Sequence, residues 1–167
     1  MKQMWAPWRL EYILSLSKDK LSQDVEEKKI CVFCDRAQGK PNVKNLVLYK
    51  GKKSYIILNR YPYTNGHLMV IPYRHISDFT KLTQEELKEM GLLKSKAVAA
   101  LKKVYNPEGF NIGMNLGQAG GAGIKDHLHY HVVPRWLGDN NFMSVVSNTR
   151  VIMDSLENTY RKIKKAL

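Results

Sequence analysis

Residues His127 to Pro134 read H-L-H-Y-H-V-V-P, and the alternation of histidine with apolar or aromatic residues is the pattern of an extended strand. Successive strand side chains point to opposite faces, so His127, His129 and His131 share one face while Leu128, Tyr130 and Val132 share the other. Twice the strand rise predicts neighbouring imidazoles about 6 to 7 Å apart. Each buried imidazole requires a hydrogen-bond partner or a ligand, and three protonated rings in a row would repel, so such a row points to chemistry rather than packing.

Working outward, G-Q-A-G-G-A-G from Gly117 to Gly123 offers backbone N–H groups unobstructed by side chains, which close approach to a phosphate requires. Before it, F-N-I-G-M-N-L opening at Phe110 alternates as a further strand. Thr83 to Tyr105 is predicted as a long helix. Leu87, Met90, Leu93, Ala97, Ala100, Leu101 and Val104 recur at helical spacing, Thr83 and Glu86 can form a capping box, and Pro107 and Gly109 end the segment. His67 to Pro72 is a buried strand, and Asn45–Tyr49 with Ser54–Asn59 forms an antiparallel hairpin whose turn is Lys50–Lys53. Met1 to about Glu27 is an arm with a helical period at Leu10, Ile13 and Leu14, and Asn148 to Leu167 is a basic terminal helix. The order predicts an α+β fold: an antiparallel five-stranded sheet with the long helix packed on one face and a C-terminal helix. The organisation expected is an arm over 1–30, a domain over 31–147 and a terminal helix over 148–167.

The 167 residues are 44% hydrophobic and 25% charged, enough chain for one core that buries roughly 70% of the unfolded surface. No apolar run approaches the roughly 18 residues of a membrane span, and Trp5, Pro7, Trp8 and Arg9 stand where a secretion signal needs an apolar stretch. A cytoplasmic protein without a membrane partner is expected. Lys and Arg number 27 against 15 Asp and Glu, and the formal charge of +12 favours anionic partners. The cations are scattered over Lys18–Lys20, Lys28–Lys29, Lys50–Lys53, Lys102–Lys103 and Arg161–Lys165, so no block reads as a nucleic-acid arm.

Two chemistries suit the histidine row: metal binding through neutral imidazole nitrogens, or attack by an imidazole nitrogen on phosphorus with neighbouring rings and backbone amides holding the phosphate. Cys31 and Cys34 stand in C-V-F-C, too few for a disulfide framework, which leaves a redox pair, half a metal site or two inert thiols. A thioredoxin-like pair opens a helix after a buried strand, whereas Glu26–Ile30 is mostly charged.

H-L-H-Y-H-V-V resembles the His-x-His-x-His-x-x signature, x being hydrophobic, of the histidine triad (HIT) superfamily. The resemblance runs from about Cys31 to Phe142 through L-N-R-Y-P-Y-T-N-G-H-L-M-V-I-P, G-F-N-I-G-M-N-L-G and the triad followed by P-R-W. M-W-A-P-W-R and G-D-N-N-F look like the bacterial branch related to diadenosine tetraphosphate phosphorylases. The resemblance implies a two-step nucleotidyl transferase or hydrolase. His129 attacks the α-phosphorus to give a nucleotidyl-histidine, which water or inorganic phosphate then resolves. His131 bonds phosphate oxygens, and His127 and His67 complete the catalytic set. Asn59 and Asn115 fall where family members place polar side chains toward ribose and phosphate, with turn and strand-end asparagine as the plain alternatives. Gly121 and Gly123 belong to the phosphate loop, and Trp136 shapes access for the second nucleophile or packs on the sheet edge.

The resemblance further implies a zinc site of Cys31, Cys34, His75 and His127, an S2N2 set suited to a tetrahedral ion. It also implies pairing of copies through the long helix and an edge strand. Gly123 and Ile124 stand where some relatives carry amide or hydroxyl side chains, so phosphorolysis is a leaning. The competing readings are a nucleoside phosphoramidate hydrolase and a zinc-stapled module that binds nucleotide or nucleic acid without turnover, for which Trp5 and Trp8 offer stacking surfaces.

Overall fold

The computed structural model describes residues 31–139 and 152–167, and the arm over 1–30, with Trp5 and Trp8, lies outside them. Five strands, β1 (Val47–Lys50), β2 (Ser54–Leu58), β3 (Leu68–Pro72), β4 (Gly109–Met114) and β5 (Tyr130–Arg135), form one sheet in the order β1-β2-β3-β5-β4. Every neighbouring pair is antiparallel, as the α+β reading predicts. The helices are α1 (Val32–Ala37), α2 (Gln84–Tyr105) and α3 (Leu156–Ala166), with a short 3-10 turn at Phe79–Lys81. No helix among the described residues is long and apolar enough to cross a membrane.

Register decides which residues share a face, because directly paired residues of antiparallel strands project to the same side. Tyr55 pairs with Ile71, Ile57 with Met69, and Met69 in turn with His131. Ser54, Ile56 and Leu58 therefore take the opposite face, and there Ser54 donates to the Glu89 carboxylate of α2 at 3.0 Å. Glu89 also accepts the backbone N–H of Lys52 at 2.7 Å and of Lys53 at 2.5 Å, which ties the β1–β2 turn to the helix. Tyr130 lies on the α2 face with Lys94 3.7 Å above its ring, so alternation sends His131 to the other side of the sheet. Both faces of β2 and β3 are covered, and every residue of these strands is buried.

The capping box of α2 forms as predicted: Thr83 Oγ1 accepts the Glu86 N–H at 3.2 Å and Glu86 Oε2 accepts the Thr83 N–H at 2.8 Å. The inward stripe is Glu86, Met90, Leu93, Ala97, Ala100 and Leu101. Leu87 is not part of it, at 40% exposure, because Glu86 takes the inward place in the first turn to meet Arg74. The helix stops at Asn106 in the left-handed conformation (φ 44°), before Pro107 is reached. The terminal helix is shorter than predicted: Ser155 caps it and residues 152–155 are not helical, while 148–151 lie outside the described residues. It is anchored by the Tyr160 hydroxyl, which donates to the Val47 carbonyl at 3.0 Å.

Candidate active site

The last strand begins at Tyr130, so His127 and His129 precede it. Leu128 N–H leaves the ladder to donate to the Ile76 carbonyl at 2.8 Å, which draws this stretch toward the segment after β3. His129 and His131 lie side by side, closer than the extended spacing, with ring centroids 4.9 Å apart and planes at 75°, whereas His127 turns toward the cysteines and His75. The cause is the bond from His129 Nδ1 to the His127 carbonyl at 2.8 Å, which folds the ring against its own backbone.

Fixed partners assign the protons, because a carbonyl only accepts and a backbone N–H only donates. His129 donates through Nδ1–H, so in the neutral ring Nε2 carries the lone pair, and it has no hydrogen-bond partner among the described residues. His67 Nδ1 accepts the Tyr63 N–H at 3.1 Å and faces the Asn59 amide nitrogen at 3.3 Å, which places its proton on Nε2. That nitrogen lies 2.8 Å from His131 Nδ1, so His131 accepts there and carries its own proton on Nε2. Tyr63 stacks on His131, with ring centroids 5.6 Å apart, and meets the His67 ring at a tilt, 4.5 Å away. Gly66 (φ +81°) delivers His67 to its fully buried place. A Cβ there would meet Leu101 at 3.0 Å and Tyr105 at 3.2 Å.

Burial pushes all three triad imidazoles below their ordinary range. For His131 burial, and after it the neighbouring His129, bring the value down to about 4. At neutral pH the row is therefore uncharged, which removes the repulsion expected of three protonated rings and leaves the lone pair of His129 Nε2 unprotonated.

Behind the row, His127 Nε2–H donates to the Pro72 carbonyl at 2.9 Å, turning Nδ1 toward Cys31 Sγ at 3.4 Å and Cys34 Sγ at 3.6 Å. His75 Nδ1 stands 3.4 Å from Cys34 Sγ, and one donor atom from each of the four residues lies within 4.8 Å of all the others. Tetrahedral zinc, with bonds of about 2.3 Å to sulfur and about 2.05 Å to nitrogen, sets such S and N donors about 3.6 Å apart. The donor set and spacing fit the ion, and His127 already holds the tautomer that ligation through Nδ1 needs. Burial, and next the neighbouring Cys31, push the Cys34 thiol up. These four residues can hold a metal ion.

The HIT domain profile matches residues 40–136, which contain β1 to β5 and the whole histidine row. The chain belongs to the HIT family. This HIT protein is 38% identical over 161 residues to the AP-4-A phosphorylase of Mycobacterium tuberculosis, covering 96% of this chain and 82% of that one. It is 32% identical over 97 residues to a bis(5'-nucleosyl)-tetraphosphatase (asymmetrical) of Schizosaccharomyces pombe, covering 58% and 53% of the two chains. Among solved structures, a zinc-bound histidine triad family protein from Mycobacterium smegmatis superposes with a TM-score of 0.64 at 30% identity, over 81% of this chain and 91% of that one.

Within this HIT protein the remaining predicted residues are dispersed. Asn59 is engaged in a turn, its Oδ1 accepting the Tyr61 N–H at 3.0 Å beside the contact with His67. Asn115 Nδ2 donates to the Gly121 carbonyl at 3.4 Å, so this amide props the glycine loop. Gly121 adopts φ +85°, and Gly123 lies exposed in the same loop. Gly120 is the tightest point: a Cβ would stand 2.3 Å from the Leu116 carbonyl. Trp136 is half-buried and its backbone N–H donates to Asp139, which also grips Arg135 at 2.5 and 2.9 Å. Sequence reasoning missed Phe33, whose ring packs 5.6 Å from His127 and 5.0 Å from His129, and Tyr63 against the His67–His131 pair. An aromatic between the two cysteines was the available signal for Phe33, but nothing local marks a backbone N–H such as that of Tyr63 as functional.

Proposed function

We propose that the protein cleaves dinucleoside polyphosphates of the diadenosine tetraphosphate type, with inorganic phosphate as the acceptor. The observation that carries the reading is the free, neutral Nε2 of His129, aimed by the bond from Nδ1 to the His127 carbonyl. In the first step that lone pair attacks the α-phosphorus. An N–P bond forms, the bond from that phosphorus to the bridging oxygen breaks, and ATP leaves. His131, with its proton on Nε2, binds phosphate oxygens and supplies a hydrogen bond as charge develops, while His67 Nε2–H holds His131 Nδ1 in place. In the second step a phosphate oxygen attacks the adenylyl group, the N–P bond breaks and ADP forms. The net reaction is diadenosine tetraphosphate plus phosphate to ATP plus ADP. Asn115, Gly121 and Gly123 line the loop offered to the phosphates, Asn59 faces the ribose, and Trp136 borders the approach of the acceptor. The similarity to the Mycobacterium tuberculosis phosphorylase over nearly the whole chain supports phosphate over water.

The reading includes zinc on Cys31, Cys34, His75 and His127. When bound, zinc supplies a structural crosslink. The chemistry belongs to His129 and His131, and His127 carries the carbonyl that orients the nucleophile. Two thiols held as metal ligands suit a reducing cytoplasm. Pairing of two copies through the long helix α2 and the edge strand β4, where Asn111, Ile112 and Gly113 are exposed, completes the reading.

The test is incubation with diadenosine tetraphosphate, with and without inorganic phosphate, followed by ion-exchange separation. ADP plus ATP appearing only with phosphate is the expected result. AMP plus ATP, or two ADP, without phosphate overturns the acceptor, and no product in either tube overturns the reading.

A further inference from the structure

The four metal donors come from three separate parts of the chain: the α1 turn, the segment after β3 and the segment before β5. The two histidine segments are tied directly, by His127 to the Pro72 carbonyl and by Leu128 N–H to the Ile76 carbonyl. The turn that carries both sulfurs is packed through the buried Phe33 ring, 5.6 Å from His127 and 5.0 Å from His129, but its backbone has weaker local support. Helix α1 is six residues long, and Cys31 at its start provides no side-chain capping bond. A helix so short is not held by its own ladder. Its ties from Lys50 to the Ala37 carbonyl and from Arg36 to the Asn45 carbonyl lie at the end away from Cys31.

Tyr55 reaches the cysteine turn itself. Its hydroxyl donates to the Phe33 carbonyl, immediately before Cys34 in the turn, at 2.8 Å, and Tyr55 is fully buried. Its ring stacks on Tyr73 at 5.4 Å and 22°, two residues before His75. One side chain on β2 thus touches both the sulfur-bearing turn and the segment that presents His75. Burial pushes the phenol further up, so the hydroxyl remains a donor throughout the working range.

We propose that Tyr55 is a positioning residue of the metal centre, whose hydroxyl holds the Cys31–Cys34 turn where both sulfurs face His75 and His127. Without that bond the turn must be ordered at the moment of metal binding, and the affinity falls by the cost of ordering it. The inference rests on the metal reading given above.

Full-length wild type, Tyr55→Phe and Tyr160→Phe would compete for zinc against a chromogenic chelator. Tyr55→Phe keeps the ring and its stack and removes the hydroxyl. Tyr160→Phe is the control, removing an equivalent buried hydroxyl bond, to the Val47 carbonyl at 3.0 Å, on α3. Loss of a group that orients metal ligands weakens binding about tenfold or more. The expected result is about a tenfold loss in Tyr55→Phe, with Tyr160→Phe within about twofold of wild type. Equal affinity of Tyr55→Phe and wild type overturns the inference, and so does an equal loss in both variants, which would report general loosening. A wild-type chain that takes up no zinc is recognised before any variant is measured, and overturns the metal reading together with this inference.

Discussion

His67 Nε2 and His131 Nδ1 lie 2.8 Å apart, joining the histidine just before β3 to the last histidine of the triad on β5. The bond runs between residues 64 positions apart in sequence, and its direction is fixed from outside by the Tyr63 N–H that occupies His67 Nδ1. It leaves the second proton of the pair on His131 Nε2, at the side where a phosphate would be held. His129 is set in the opposite sense, with its proton turned inward and its lone pair outward. Two adjacent imidazoles thus present opposite faces of the same chemistry, one a lone pair and one an N–H.

His129→Ala removes the only group proposed to bond phosphorus, so steady-state turnover of diadenosine tetraphosphate is expected to fall by about 10^4-fold or more, the scale of losing a nucleophile. Nucleotide affinity, measured by calorimetry, should stay within a fewfold of wild type. Retained turnover would refute the mechanism.

His67→Ala deletes the partner that orients His131 without touching the nucleophile. A fall in kcat of about 10^2-fold with a small change in KM is expected, as for a lost acid–base contribution. An unchanged kcat would mean that the bond is structural.

His131 gives a pH dependence with a definite sign. Its folded value of about 4 lies below the ordinary 6.5, so the unfolded chain binds this proton more readily. The stability associated with the neutral ring is present above about pH 6.5 and is lost as the pH falls toward about 4. Melting temperature should decline across that window, and His131→Asn should flatten the decline. An identical slope in the variant would assign the effect to other groups.

Glu86 is buried at the head of α2 and bonds Arg74 at 3.0 and 2.7 Å. Arg74 first, with the Thr83 N–H assisting, holds its carboxyl down at about 2 against burial. This contribution is present above the ordinary carboxylate range and is lost as the pH falls toward 2. Glu86→Gln keeps the shape of the cap and removes the charge, with an expected cost of about 1 kcal/mol in denaturant unfolding at neutral pH. A change under a few tenths would show that the pair contributes little.

Metal analysis of freshly purified, unchelated protein should find about one zinc per chain, and Cys34→Ser should lower both zinc content and melting temperature. Less than half an equivalent of zinc in the wild type would count decisively against the site.

Much of the architecture was legible because it is written in local patterns. The alternation in H-L-H-Y-H, the capping box at Thr83 and Glu86 and the apolar runs of β2 and β3 each concern residues a few positions apart. Leu87 misled because helical spacing alone cannot tell which of two neighbouring residues in the first turn faces inward, and here a distant Arg74 drew Glu86 in. The start of β5 misled for a similar reason. Leu128 could have paired within the sheet, but Ile76 offered its carbonyl from outside it.

Amino-acid order by itself determined the α+β class, the row of imidazoles and the pairing of two cysteines at C-x2-C spacing, since periodicity and residue type need no partner to be read. Tertiary structure alone decided which nitrogen of each imidazole carries the proton, and that His127 faces the sulfurs while His129 faces outward. Those outcomes depend on the carbonyls of Pro72 and His127 and on the N–H of Tyr63. Backbone groups are the same in every residue, and only the folded chain shows which of them a side chain meets.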